Sequence, residues 1–219
     1  MQKNNASANE AQQRAAIVAA ARSWIGTPYH NCADVKGVGV DCGMLLVRVF
    51  VDTGLCEPFD PRPYPPDWHL HRSEEKYLGF VFDRAHEVFP DQAPSAVGCD
   101  RAFTPVNGLL PAPREAPSAV GCDRASTPVN GLMPGPREAP SAVGWRAAPR
   151  EALKKVQPGD VAVFRFGRCY SHGGIVVDTE PLSIVHAFVQ ARCVLEERMR
   201  ESAVLNEPQR APRFFSLWH

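Results

Sequence analysis

The sequence predicts an α+β domain: N-terminal helices packed on a C-terminal antiparallel sheet, with a proline-rich insertion between the two halves. Three observations carry this reading. Apolar residues recur at helical spacing before residue 93 and alternate in short runs after residue 152. Those runs follow one another through short connections, as in an antiparallel meander rather than a helix-linked parallel sheet. Between the halves lies a tandem repeat that holds ten of the 21 prolines.

The first helix is expected over Asn9 to Trp24, in "NEAQQRAAIVAAARSWIG", with Ile17, Val18, Ala21 and Trp24 near one face and Gly26 as its stop. The following "TPY" (27–29) forces an extended turn, because the residue before a proline avoids helical angles. The next helix is expected from Cys42 to Asp52, in "GVDCGMLLVRVF" and the residues after it. Asp41 is a suitable N-cap and Gly54 a suitable stop. This segment is apolar nearly all round, which makes it a central, buried helix. After the proline-rich crossing "PFDPRPYPPDW" (58–68), Ser73, Glu74 and Glu75 open a third helix expected to reach Val88. Strands are expected at 160–166, 173–178, 183–189, 192–197 and 213–218.

The insertion has a period of 23 residues. Residues 93–115 and 116–138 differ only at Phe103/Ser126, Leu110/Met133 and Ala112/Gly135, and 139–151 is a shortened third copy. Each full copy has four prolines and few bulky apolar residues. It buries too little surface to offset the entropy of ordering, so 93–152 is expected to be a disordered or polyproline-like loop. The domain is then formed by 1–92 together with 153–219.

Lys and Arg balance Asp and Glu at 24 each, so no charge excess points to nucleic acid or a membrane surface as partner. The N-terminus lacks the apolar core of a secretory signal, and no run is long enough to cross a bilayer, which leads to an expectation of cytoplasmic synthesis. Seven cysteines without CxxC pairing read as reduced thiols. No cofactor motif is present, and none is expected.

Cys42 at the first position of a capped helix is the candidate nucleophile. Unpaired N–H groups and the helix dipole favour negative charge there, so a lowered thiol pKa is expected. The same groups can bind the oxyanion of a tetrahedral intermediate. Its base would be His172, read as opening a strand in "YSHGGIVVD" (170–178), oriented by His186 from the next strand. Taken singly, each of these residues also fits an ordinary structural role.

Five stretches in order resemble the NlpC-type cysteine peptidases of bacterial cell-wall metabolism: "ARSWIGTPY" (21–29), "GVDCGMLLVRVF" (39–50), "QPGDVAVF" (157–164), "SHGGIVV" (171–177) and "IVHAF" (184–188). The resemblance is close over about 22–55 and 157–190. It implies a papain-like domain with Cys42 as nucleophile, His172 as base and His186 as its orienting partner. It also implies that Tyr29 lines the substrate groove, with Asp41 and Ser171 placed on the substrate side. The implied reaction is amide hydrolysis in peptidoglycan stem peptides, at the bond between D-glutamate and a diamino acid. Gly43 and Met44 stand where the typical member has Ser and Gly. The chain looks most like the phage-tail and prophage branch, which implies tail proteins as partners and a virion-associated location.

Three alternatives stay open at the level of sequence. One is a zinc site of Cys42, Cys169, His172 and His186. Another is a catalytically silent tail-assembly protein on the same fold. The third is acyl transfer or other amidase chemistry in the same groove, to which Trp68, His69 and His71 are candidate contributors.

Overall fold

The computed structural model describes residues 2–65, 75–89 and 154–218. The insertion 93–152, with Cys99, Cys122 and Trp145, lies outside the described residues, as do Trp68, His69, His71, Ser73 and Glu74.

Helix α1 spans Gln2–Arg22, longer at its start than expected and ending before Trp24. Ile17 and Ala21 are fully buried, and Trp24 packs with them from the following turn. Gly26 takes a positive φ of 85°, and its N–H donates to the carbonyl of Val194. The extended segment after it bridges two edges: Pro28 pairs with Cys193, and Tyr29 with Val40. A small hairpin not expected from sequence follows, β1 (Asp34–Val35) with β2 (Gly39–Val40). It delivers the chain directly to Asp41.

Helix α2 spans Cys42–Asp52, as expected. The Asp41 carboxylate accepts the Met44 N–H at 2.8 Å, and Gly54 takes φ 74° just beyond the C-cap Thr53. Met44, Leu45, Leu46, Val47, Val49 and Phe50 are buried. Helix α3 covers only Lys76–Phe82. The expected continuation to Val88 is instead β3 (His86–Glu87), paired with Phe215–Ser216 at the sheet edge. Tertiary pairing overrides helix propensity there: Arg213 makes a two-toothed ion pair with Glu87, and the Val88 N–H donates to Phe214. Glu75 does not cap α3 with its side chain; its carboxylate accepts the Tyr170 N–H at 2.8 Å and so ties the helix to the sheet.

The remaining strands are β4 (Val161–Phe166), β5 (Cys169–Thr179), β6 (Leu182–Phe188), β7 (Cys193–Arg198) and β8 (Arg213–Ser216). Among the described residues they form one antiparallel sheet in the order β3-β8-β4-β5-β6-β7. Strand β5 starts earlier than expected, so His172 sits inside the strand rather than opening it. Alternation splits the core across the sheet. Val161, Val163, Ile175 and Val185 face α1 and α2, while Ala162, Phe164, Val176 and Ile184 pack with Met199, Leu205 and Phe214 on the opposite face. No helix among the described residues is long and apolar enough to cross a membrane.

The turn "QPGD" (157–160) is pinned by a buried ion pair. Arg14 of α1 reaches Asp160 at 2.8 Å, the Pro158 carbonyl at 3.0 Å and the Ser216 hydroxyl at 3.2 Å, and its guanidinium lies over Trp218. This joins α1 to the starts of β4 and the end of β8.

Candidate active site

Cys42 is the first residue of α2 and meets β5 at the backbone. Its thiol donates to the Ser171 carbonyl at 3.8 Å, a weak contact, and the Gly173 N–H is directed at the sulfur. The sulfur therefore lies against the strand on both sides of His172. Glycine is required at 173 for this approach: a Cβ there would lie 2.2 Å from the Tyr77 hydroxyl oxygen and 3.0 Å from Leu46. Tyr77 in turn donates to the Cys42 carbonyl at 3.3 Å. We expect Gly173→Ala to cost about 1–3 kcal/mol by overpacking and to displace Cys42 from the strand; Tyr77→Phe should return part of the lost melting temperature, as read by thermal unfolding of the single and double variants.

The His172 ring is buried among Phe164, Phe166 and Phe188. Its Nε2 lies 2.8 Å from Nδ1 of His186, which is fully buried. Gly174 makes room for this contact, since a Cβ there would sit 3.1 Å from the Cβ of His186. His186 Nε2 continues the chain to Glu197 on β7 at 2.9 Å. The sequence reading did not include Glu197; the strand register that brings it beside His186 is not visible from residue spacing alone.

Asp41 caps the helix and is closed off from solvent at 2% exposure. Its carboxylate accepts N–H groups from Met44 and, at 2.6 Å, Cys32, and the Tyr64 hydroxyl from the proline-rich crossing at 2.9 Å. Burial raises its pKa, against the lowering effect of those bonds. These contacts make Asp41 the buried anchor that ties the start of α2 to Cys32 and to the proline-rich crossing. Ser171 enters through its carbonyl, while its hydroxyl donates to Phe166 at 3.2 Å. Tyr29 is half-buried, near enough to Cys42, Asp41 and Cys32 that their negative charge adds to burial in raising its phenol pKa. A Cβ at Gly43 would lie 3.2 Å from the Tyr64 hydroxyl, so the crossing occupies the space a serine would use.

The electrostatics correct one expectation. Burial, and then the Asp41 charge, push the Cys42 thiol up to about 12, although the N–H groups of Gly173, Cys42 and Gly43 favour the thiolate. The helix N-terminus does not overcome burial, so the thiol rests protonated and needs a base to ionise it. Burial likewise raises Tyr29, Tyr64 and Tyr77. Groups with raised folded pKa values stabilise fully below their unfolded values and lose that contribution as pH rises. Stability should therefore fall above about pH 8.5, where unfolded cysteine and then tyrosine ionise; a melting temperature that stays flat to pH 11 would contradict this.

Among the described residues no group of three or more His, Cys, Asp or Glu is arranged to hold a metal ion, so the Cys42, Cys169, His172 and His186 set is not assembled as a zinc site. A surface groove of about 550 Å³ lies elsewhere, between α1, α2 and β1, lined by residues including Trp24, Asp34 and Arg48 but not by Cys42, His172, His186 or Glu197.

No protein-family model matches the sequence. No curated protein matches it either. Among solved structures, the chain is similar to an N-acetylmuramoyl-L-alanine amidase from Bacteroides uniformis ATCC 8492, with 12% identity, a TM-score of 0.51, and coverage of 93% of this chain and 98% of that one. A second crystal structure of such an amidase from the same organism is 11% identical over the same shares, with a TM-score of 0.45. The first likeness shows a shared α+β fold.

Proposed function

We propose that this protein is a papain-like, NlpC-type cysteine hydrolase that cleaves amide bonds in peptidoglycan stem peptides. The observation that carries the reading is the Cys42 thiol held against the backbone flanking His172, whose ring is fixed by His186 at 2.8 Å. The shared fold with a protein named an N-acetylmuramoyl-L-alanine amidase supports peptidoglycan as the substrate class.

In this reading His172, whose Nε2 meets His186, takes the Cys42 proton at its other ring nitrogen, Nδ1. The sulfur then attacks the amide carbonyl, and N–H groups at the start of α2 hold the oxyanion. His172 returns its proton to the departing amine as the C–N bond breaks, which leaves a thioester on Cys42. Water, deprotonated by His172, hydrolyses the thioester and releases the acid. The finer reading, from the sequence resemblance, is cleavage between D-glutamate and a diamino acid by an enzyme of the phage-tail branch, acting with tail proteins.

A silent tail-assembly role on the same fold is the second reading, favoured by the burial that holds Cys42 protonated. Incubation with stem peptides and muropeptides, read by mass spectrometry beside Cys42→Ala, separates them. A Cys42-dependent mass split supports the hydrolase and names the bond. No split, repeated with 93–152 replaced by a short Gly/Ser linker, supports the silent role.

A further inference from the structure

The relay does not end at His186. We infer that Glu197 is a positioning residue of this site, whose carboxylate sets the tautomers of both histidines; the inference rests on the proposed hydrolase reading.

The strand register supplies the placement. Glu197 pairs across the sheet with Ile184 and His186 with Leu195, so Glu197 lies diagonally from His186 on the same face. Its Oε2 is 2.9 Å from His186 Nε2 and also accepts the Ser202 hydroxyl at 3.3 Å. Ser202 is buried and is itself held by the Leu205 N–H at 3.1 Å. The His186 hydrogen bond holds the Glu197 carboxyl below its usual range, against partial burial.

An ionised carboxylate only accepts, so His186 must carry its proton on Nε2. Nδ1 of neutral His186 is then an acceptor, and the 2.8 Å contact requires His172 to donate from Nε2. That leaves Nδ1 of His172 with a lone pair. Without the negative charge, both rings can invert: His186 donates from Nδ1, His172 accepts at Nε2, and the proton of His172 moves to Nδ1, where it can no longer act as base. A glutamine at 197 would promote this inversion, because its amide can donate to His186 Nε2.

The test uses the full chain with Glu197→Gln and Glu197→Asp. Ring-nitrogen NMR shifts at mildly alkaline pH report the tautomers without any substrate. The expected wild-type pattern is a protonated Nε2 on both His172 and His186, inverted in Glu197→Gln and retained in Glu197→Asp. Alkylation of Cys42 by iodoacetamide at neutral pH should fall about tenfold or more in Glu197→Gln, given the size of general-base effects, with Glu197→Asp closer to wild type. A shape effect would rank them the other way, since glutamine is the nearer isostere. Unchanged tautomers in Glu197→Gln, or equal losses in the two variants, would overturn the inference. Absence of hydrolysis in wild type would instead count against the function alone.

Discussion

Cys42→Ala is expected to reduce amide hydrolysis by roughly 10⁴- to 10⁶-fold, the scale seen when a nucleophile is removed from a coupled catalytic set. The melting temperature should stay near wild type, because the thiol is a small group and its contact with the Ser171 carbonyl, at 3.8 Å, is a weak one. His172→Ala should produce a comparable loss for a different reason. Burial disfavours the thiolate, so without a base little of the thiol is ionised at neutral pH. Removing the base also removes packing among Phe164, Phe166 and Phe188, so this variant should lose stability as well. His186→Ala should cost less activity than either. Rates measured with circular dichroism and thermal melts on the same samples separate lost chemistry from lost fold.

The largest stability effect is expected at Asp160, far from the thiol. Asp160 is 1% exposed, and removing it as Asp160→Ala takes from the buried Arg14 guanidinium its buried carboxylate, leaving only the more exposed Glu10 as a charged partner. Breaking one side of a buried pair typically costs about 3–5 kcal/mol. Glu10 still pairs with the guanidinium at 2.8 Å from a more exposed position, so the loss is expected toward the lower end of that range; the Pro158 carbonyl and the Ser216 hydroxyl carry no charge. Asp160 also accepts the Gln157 N–H at 2.8 Å, so the turn entering β4 loses its closure at the same time. Replacing both Arg14 and Asp160 by apolar residues should recover much of the loss, since the penalty comes from a buried charge left under-compensated. Chemical denaturation of the single and double variants measures this directly.

Much of the fold was legible because it is locally encoded. The cap at Asp41, the apolar run of α2 and the stop at Gly54 are short-range signals, and the helix bounds match them. The strand runs after residue 160 were legible from alternation, although β5 begins at Cys169 rather than at residue 173. The end of α3 was not legible. Whether His86 and Glu87 continue a helix or join the sheet depends on Arg213 and Phe215, more than a hundred residues away. The same holds at the site. Cys42, His172 and His186 stand out by residue type, and His172 and His186 do meet. Glu197, Tyr64 and Tyr77 do not stand out, because their roles come from strand register and from the path of the crossing over α2. The thiol pKa was read in the wrong direction because a helix N-terminus is visible in sequence and burial is not.

The central claim is that Cys42 forms a covalent acyl-enzyme with a stem peptide. It is tested most directly by intact-protein mass spectrometry of an acid-quenched reaction, followed by peptide mapping. The account predicts a transient mass increment equal to the acyl half of the cleaved peptide, localised to the fragment holding Cys42 and absent from Cys42→Ala. Product formed at equal rate by Cys42→Ala, or cleavage with no adduct on Cys42 at any quench time, would contradict it.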